Sequence, residues 1–228
     1  MLQGVGTLAA TDSTTFSLAV PSERASVRDL AEVVFGFGII MVVLWLPERE
    51  QIILGPVALL ATLLLTLLRR PDFNSLGLGW RGLLRSLWVL PAAIGLTVAS
   101  VLVARSVGTF HPLHNPDLGH VGGYVLWTLY QQFLLQDYFT PRLTRLLSSD
   151  GALAVVAAMF AVAHLPNLWL ALATLVWGIV SCLLFRRYRS LYVLGLAQGL
   201  LGLCFAVCVP DAIHHHLRVG LGYVRYHG

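Results

Sequence analysis

The sequence predicts an all-α integral membrane protein, a bundle of about seven transmembrane helices. Of its 228 residues, 57% are hydrophobic and 11% are charged, whereas a soluble domain carries roughly 25% charged residues. Successive apolar runs fill most of the chain between 30 and 209, and most of them approach the ~20 residues that cross a bilayer. The placement of arginine gives a third, independent indication.

The predicted spans follow the apolar runs in order. They are 30–47, 52–69, 84–106, the more polar 123–142, then 151–167, 168–185 and 190–209. All 15 basic residues are arginine, and a cytoplasmic N-terminus places 11 of them on the inner side and 4 on the outer side. This bias satisfies the positive-inside rule for seven crossings, with six or eight as alternatives. The expected location is a bacterial inner membrane.

The same pattern divides the chain into one membrane domain and two flanking segments. Residues 1–29 are rich in serine and threonine, and they are expected to form a polar N-terminal tail. Residues 30–209 form the membrane domain, and 210–228 a short C-terminal tail on the outer side. The sequence leaves the oligomeric state open.

Composition also excludes several classes of function. The arginines flank apolar segments and do not cluster with aromatic residues, so no nucleic-acid partner is expected. Three cysteines without a CxxC pair predict neither a disulfide framework nor a zinc knuckle. Three consecutive histidines after the last span cannot share one helix face, and no Cys or Glu lies beside them. No metal and no cofactor are therefore expected. This expectation covers two groups of histidines. His214, His215 and His216 follow the last span, and His111, His114 and His120 lie in the loop after the third span, near Asp117.

Polar side chains inside the fourth span indicate a functional site. An otherwise hydrophobic segment contains Gln131, Gln132, Gln136 and Asp137. In hydrocarbon, an amide or carboxyl side chain must face a protein interior or a water-filled cavity. At helical spacing Gln132 and Gln136 share a face, and Gln131 lies about 100° round the helix. The alternative is that these amides only join neighbouring helices by hydrogen bonds.

Two further spans carry polar residues at a similar depth. At about 1.5 Å per residue, Gln131 lies roughly 17 Å, His164 about 20 Å and Gln198 about 12 Å from the inner ends of their helices. Pro166 interrupts the helix directly after His164. The spacing therefore predicts that three helices bring these side chains to one intramembrane cavity, with Asn167 near its rim.

The order of these residues resembles the CPBP family of intramembrane proteases, the CAAX-protease and bacteriocin-immunity (Abi) group. That family carries EExxxR, FxxxH and HxxxN or HxxxD on successive helices. The three glutamines of the fourth span fall on the EExxxR positions, Phe160 and His164 match FxxxH, and Gln198 and Gly202 fall on the HxxxN positions. The resemblance covers residues 84–209.

The resemblance implies an endopeptidase that hydrolyses a membrane-tethered or prenylated peptide, in contact with membrane lipid. In the family a glutamate activates water, histidines support it, and an asparagine stabilises the oxyanion. Here the glutamates are replaced by amides, which cannot take up a proton at neutral pH, and Gly202 has no side chain. The catalytic positions are Gln131, Gln132, Gln136, His164 and Gln198, and the substrate-binding positions are Phe160, Asn167, Asp137 and Gly202.

Three functions remain open at this point. The chain is an endopeptidase with substituted motifs, a non-cutting relative that binds peptide or lipid as an immunity or assembly factor, or a transporter. A transporter is disfavoured because the Pro166 break is single and no repeated half is visible. Asp137 is expected to pair with Arg142 or Arg145 near the inner end of its helix; the alternative is an acid/base pair with His164.

Overall fold

The computed structural model describes residues 23–112 and 118–226, and within them it contains helices and connecting turns but no strand. The long helices are α1 (Glu23–Leu44), α2 (Glu48–Leu67), α4 (Val89–Val107), α5 (Leu118–Phe133), α7 (Ser149–Val162), α8 (Leu168–Tyr188) and α9 (Leu191–Cys208). The short ones are α3 (Trp80–Ser86), α6 (Thr140–Leu143), α10 (Asp211–His214) and α11 (Gly220–Val224). A π-helical segment, Leu134–Phe139, joins α5 to α6, and a 3₁₀ turn, His215–Leu217, follows α10.

The predicted fold class is confirmed, because each of the seven predicted spans is helical. Within the described ranges, four helical segments are long and apolar enough to cross a membrane, namely Glu48–Leu67, Trp80–Val107, Leu168–Tyr188 and Leu191–Cys208. Large apolar side chains such as Leu64, Leu102 and Val176 are more than half exposed on these helices, as expected for surfaces that face lipid. Seven crossings and the cytoplasmic N-terminus stay predictions.

The two ends of the chain differ from the expected tails. α1 begins at Glu23, so the last residues of the predicted N-terminal tail belong to the first helix; residues 1–22 lie outside the described residues, as do His114 and Asp117. Residues 210–226 do not form a free tail but fold back onto the bundle. The Gly220 amide donates to the Leu165 carbonyl at 2.9 Å. Gly220 has φ +53°, and a Cβ there would overlap the Leu44 carbonyl.

Helices α5 and α9 approach closely, and this contact positions the polar site. Gly195 and Gly199 lie one helical turn apart on α9, and a Cβ at Gly195 would overlap Leu129 of α5. The Thr128 hydroxyl donates to the Gly195 carbonyl at 2.9 Å. Small residues and hydroxyl bonds of this kind join helices in membranes. They bring Gln198 of α9 against the glutamines of α5.

A buried ion-pair network joins α1 to α2 and α6. Arg142 of α6 is 1% exposed, and its Nε donates to Glu32 Oε2 at 2.7 Å. Arg69 follows α2 and pairs with both Asp29 and Glu32. Arg145 pairs with Asp29 at 2.7 Å. Both arginines that were expected to pair with Asp137 therefore pair with carboxylates of α1, and the expected pairing is wrong.

Asp29 lies just before the first apolar run, and its arginines set its charge state. Burial alone raises the pKa of Asp29. Hydrogen bonds and charges from Arg145 and Arg69 outweigh burial, so the pKa stays below its ordinary value. The carboxylate is therefore ionised at neutral pH.

Candidate intramembrane site

The helix break after His164 fixes the orientation of its ring. α7 ends at Val162 and α8 begins at Leu168, so the break lies where Pro166 predicted it. Nδ1 of His164 lies 2.7 Å from the Phe160 carbonyl oxygen, and the two rings meet edge to face at 4.8 Å. Because a carbonyl can only accept, Nδ1 carries the proton, and Nε2 of the neutral ring keeps a free lone pair.

The four glutamines form one directed chain of hydrogen bonds. Nε2 of Gln136 donates to Gln132 Oε1 at 3.1 Å, and Nε2 of Gln132 donates to Gln198 Oε1 at 2.6 Å. Nε2 of Gln198 then donates to Gln131 Oε1. Since each amide accepts through oxygen and donates through nitrogen, all four orientations are fixed together. The chain ends at Nε2 of Gln131, which makes no hydrogen bond within the described part of the protein.

Three residues of α8 support the start and the middle of this chain. Nε1 of Trp177 donates to Gln198 Oε1 at 3.1 Å, which fixes the oxygen side of that amide. Gln136 lies against the Ser181 hydroxyl and Cys182 Sγ, at 3.4 and 3.6 Å. Sequence analysis missed Trp177, since an isolated tryptophan in an apolar helix carries no signal of which neighbour it contacts.

A cavity of about 710 Å³ opens beside the end of the amide chain. Gln131, His164 and Gln198 line it together with Phe160 and Gly202. The rest of its wall is mostly apolar and comes from helices on opposite sides, for example Phe37, Leu96, Leu134 and Val180. The structure thus places three of the five residues proposed as catalytic on one surface, along with two of those proposed to bind substrate.

The other four site residues lie behind that surface. Gln132 and Gln136 are 0% and 1% exposed and reach the cavity only through the amide chain. Asn167 caps α8 by accepting from the Leu170 amide, and it donates to the His214 and Arg218 carbonyls. Asn167 therefore has a structural role, because its side chain anchors the C-terminal segment.

Asp137 also lies outside the cavity wall. It is 4% exposed on the π-helical segment, and its Oδ2 has no hydrogen-bond partner within the described residues. Asp137 and His164 form no hydrogen bond or ion pair within the described residues: His164 lines the cavity and its Nδ1 binds the Phe160 carbonyl, whereas Asp137 does not line the cavity.

Tyr124 occupies the space left open by Gly202. A Cβ on Gly202 would overlap the Tyr124 hydroxyl oxygen, and Tyr124 lines the same cavity. A hydroxyl donor therefore stands where the side chain of an HxxxN asparagine would begin. The sequence gave no signal for this replacement, because Tyr124 lies on a different helix from Gly202.

Outside this cavity, the structure brings together a second polar cluster that sequence analysis missed. His111, after α4, and Asp211 and His214, of α10, have ligand atoms that all lie within 4.8 Å of one another. The sequence shows only which residues precede and follow the consecutive histidines. It does not show that the segment of His111 meets the segment of Asp211 and His214. Asp211 precedes them by three residues and was the available signal.

These features define a helical membrane protein with a neutral, hydrogen-bonded site that opens into an apolar cavity. The family model described as type II CAAX prenyl endopeptidase Rce1-like matches residues 59–204 of the chain. The chain belongs to this Rce1-like family, which confirms the resemblance to CAAX proteases. Neither the comparison with curated proteins nor the comparison with solved structures found a match.

Proposed function

We propose that this protein binds a membrane-tethered, lipid-modified peptide in the cavity and holds it without cutting it. The observation that carries this proposal is the neutral amide chain, which presents one fixed donor, Gln131 Nε2, to the cavity. His164 Nε2 adds one acceptor on the same surface. A peptide group offers the complementary pair, a carbonyl acceptor and an N–H donor.

The wall of the cavity suits the lipid part of such a ligand. A volume of about 710 Å³ lies within the roughly 300–1,000 Å³ of small-molecule sites, which combine an apolar lining with a few placed polar groups. Family membership supplies the substrate class, a prenylated peptide near the membrane. Membrane lipid surrounds the exposed apolar faces and is the second expected partner.

The chemistry of the lining favours binding over hydrolysis. Among the described residues, no Asp or Glu lines the cavity. The glutamine amides cannot accept a proton at neutral pH, so none of them can activate water as a general base. The positions that carry glutamate in the family instead hold Gln131 and Gln132, whose amides are linked through Gln198 by hydrogen bonds.

Hydrolysis is the second candidate, because one specific group supports it. The lone pair on His164 Nε2 could take a proton from water, whose oxygen would then attack the peptide carbonyl. Gln131 Nε2 and the Tyr124 hydroxyl would donate to the oxyanion that forms. In this mechanism the family's glutamate and asparagine are replaced by a histidine that follows α7 and by an amide and a tyrosine that both lie on α5.

A combined binding and cleavage assay separates the two functions. The protein is reconstituted in lipid nanodiscs and mixed with quenched fluorescent peptides, each with and without a prenyl chain. We expect binding of the prenylated peptide, no cleavage, and binding weakened roughly two- to tenfold in Gln131→Leu through loss of one hydrogen bond. Gln51→Leu is the matched control, because Gln51 does not line the cavity and its side chain donates to the carbonyls of Leu44 and Leu46.

Cleavage that disappears in His164→Phe would replace the binding proposal by the hydrolytic one. Binding of neither peptide would refute both. Gln131→Glu tests the scaffold further, since its carboxylate would face the cavity and still accept from Gln198. Gln132→Glu would instead set an oxygen against Gln198 Oε1. Restored cleavage is therefore expected for Gln131→Glu and not for Gln132→Glu.

A further inference from the structure

We propose that His111, Asp211 and His214 form a binding site for a divalent transition-metal cation, Zn²⁺, which clamps the C-terminal segment to the loop after α4. The site lies apart from the amide chain and stands independently of the peptide-binding function. Its residues come from two segments about 100 residues apart in sequence. Two imidazoles and a carboxylate are a ligand set that zinc takes in proteins, with a further position left for water.

The spacing of the ligand atoms fits a tetrahedral ion. His214 Nε2 lies 3.2 Å and His111 Nε2 lies 3.8 Å from the same oxygen, Asp211 Oδ1. Neighbouring ligands of a tetrahedral zinc are roughly 3.3 Å apart, about 1.6 times the ~2.0 Å metal–ligand bond. His111 Nε2 would have to approach Asp211 Oδ1 by about half an ångström, and the ligand atoms of the two histidines lie within 4.8 Å of each other. His216 Nδ1, 3.3 Å from Asp211 Oδ1, approaches the same carboxylate.

The contacts of His111 bring its second ring nitrogen close to Asp211. Nδ1 of His111 lies 3.1 Å from the Thr109 carbonyl oxygen and must donate to it. In this tautomer Nε2 is an acceptor, and it faces a carboxylate oxygen, which is also an acceptor. Two lone pairs directed at each other repel, and a cation between them converts this repulsion into two bonds.

His214 provides a second observation that points to a ligand. The residue is 1% exposed, and its Nε2 lies 3.2 Å from Asp211 Oδ1 without forming a well-aligned hydrogen bond. A buried polar nitrogen that lacks an aligned hydrogen bond is costly. Its ring also lies nearly parallel to that of His111, with centroids 6.1 Å apart.

Metal binding has one cost at His214. Its Nδ1 accepts from the Leu217 amide at 3.2 Å, so the ring proton resides on Nε2. Ligation through Nε2 requires the other tautomer, in which the proton has moved to Nδ1 and the Leu217 bond is given up. His111 and Asp211 are free of this cost, and they carry the test.

The position of the clamp gives it a structural consequence. The C-terminal segment forms one end of the cavity through Val209, Leu217 and Val219. Asn167 already holds this segment by bonds to the His214 and Arg218 carbonyls. A cation at His111, Asp211 and His214 would hold it from the opposite side, and it would keep this end of the cavity closed.

The test is a metal titration of the full chain, purified through a tag without histidine, stripped with chelator and held in nanodiscs. Co²⁺ is the optical probe and Zn²⁺ the competitor. We expect one Co²⁺ per chain, visible absorption bands typical of a four-coordinate ion, and displacement by one Zn²⁺. Asp211→Asn and His111→Gln should each weaken binding at least tenfold. Both side chains are partly exposed, so folding should be retained, and a melting curve without metal checks this.

His215→Gln is the matched control within the same run of histidines. The His215 ring packs against Tyr223 and Tyr226, at 4.4 and 5.5 Å, and it does not belong to the ligand set. We expect this variant to bind as the wild type does. Equal loss in His215→Gln would mean that the histidine run binds metal adventitiously. If the wild-type protein binds no Co²⁺, a proton shared by His111 and Asp211, and not a metal ion, keeps the cluster together. Either result, or unchanged binding in Asp211→Asn and His111→Gln, would overturn the proposal.

Discussion

Arg142→Met should destabilise the bundle markedly, because it removes a buried cation and keeps most of the apolar stem. The guanidinium donates to Glu32 Oε2 at 2.7 Å, to the Tyr138 carbonyl at 2.6 Å and to the Leu65 carbonyl at 3.2 Å. It also lies 3.9 Å from the centre of the Tyr138 ring. These contacts join α1, α2 and α6 through one side chain.

The magnitude follows from what each partner loses. Removing one member of a buried ion pair costs about 3–5 kcal/mol. Glu32 keeps Arg28 at 2.8 Å and Arg69 at 2.9 Å, so it is not left uncompensated, and the lower end of that range applies. At roughly 2–4 °C per kcal/mol for a chain of this size, a loss of about 3 kcal/mol lowers Tm by roughly 6–12 °C.

Thermal unfolding in nanodiscs measures this effect, with Arg186→Met as the matched control. Arg186 also pairs with a carboxylate at 2.7 Å, but it is 51% exposed and its partner Asp150 is 87% exposed. An exposed pair contributes about 0–1 kcal/mol, so the control should lose less than about 4 °C. Equal melting temperatures for the two variants would refute the role assigned to burial of Arg142.

Three further predictions concern packing, topology and acid stability. Gly195→Ala should lower the free energy of unfolding by about 1–3 kcal/mol, because its Cβ would overlap Leu129 and push α5 away from α9. The control Gly95→Ala, which has open space around it, should melt like the wild type. Ser149→Cys, exposed at the start of α7, should react with an impermeant maleimide only from the cytoplasmic side; labelling from outside would invert the predicted topology. The pKa of Asp29 is held below its ordinary value, so its ion pairs stabilise the protein fully above about pH 4, and this stabilisation is lost as the pH falls through the lower pKa of the folded state. Asp29→Asn should therefore reduce the dependence of Tm on pH in the acid range. An unchanged dependence of Tm on pH would contradict this prediction.

The family and the candidate site were accessible from sequence because their signals are local. Hydropathy over ~20 residues marks each helix without knowledge of its neighbours, and Pro166 marks the break between α7 and α8. Glutamines in an apolar helix are costly wherever they point, so Gln131, Gln132 and Gln136 stood out. The order and spacing of these glutamines, of Phe160 with His164, and of Gln198 with Gly202 indicated the family.

The pairing of polar groups between helices was not accessible in the same way. Whether Arg142 meets Asp137 or Glu32 depends on how α6 is rotated against α1, and the π-helical segment before it changes that rotation. Proximity in sequence favoured Asp137, five residues from Arg142, whereas the actual partner Glu32 lies 110 residues away.

By itself, therefore, the sequence determined that this chain is a helical membrane protein of the CAAX-protease type with polar side chains within its apolar helices. Only the tertiary structure decided the direction of the amide chain, the placing of Tyr124 beside Gly202, and the meeting of His111 with Asp211. The physical reason is that helix formation and membrane burial are properties of a segment. A hydrogen bond or ligand set between segments instead requires atoms to meet within about 3–4 Å, and helix rotation and loop placement fix that distance.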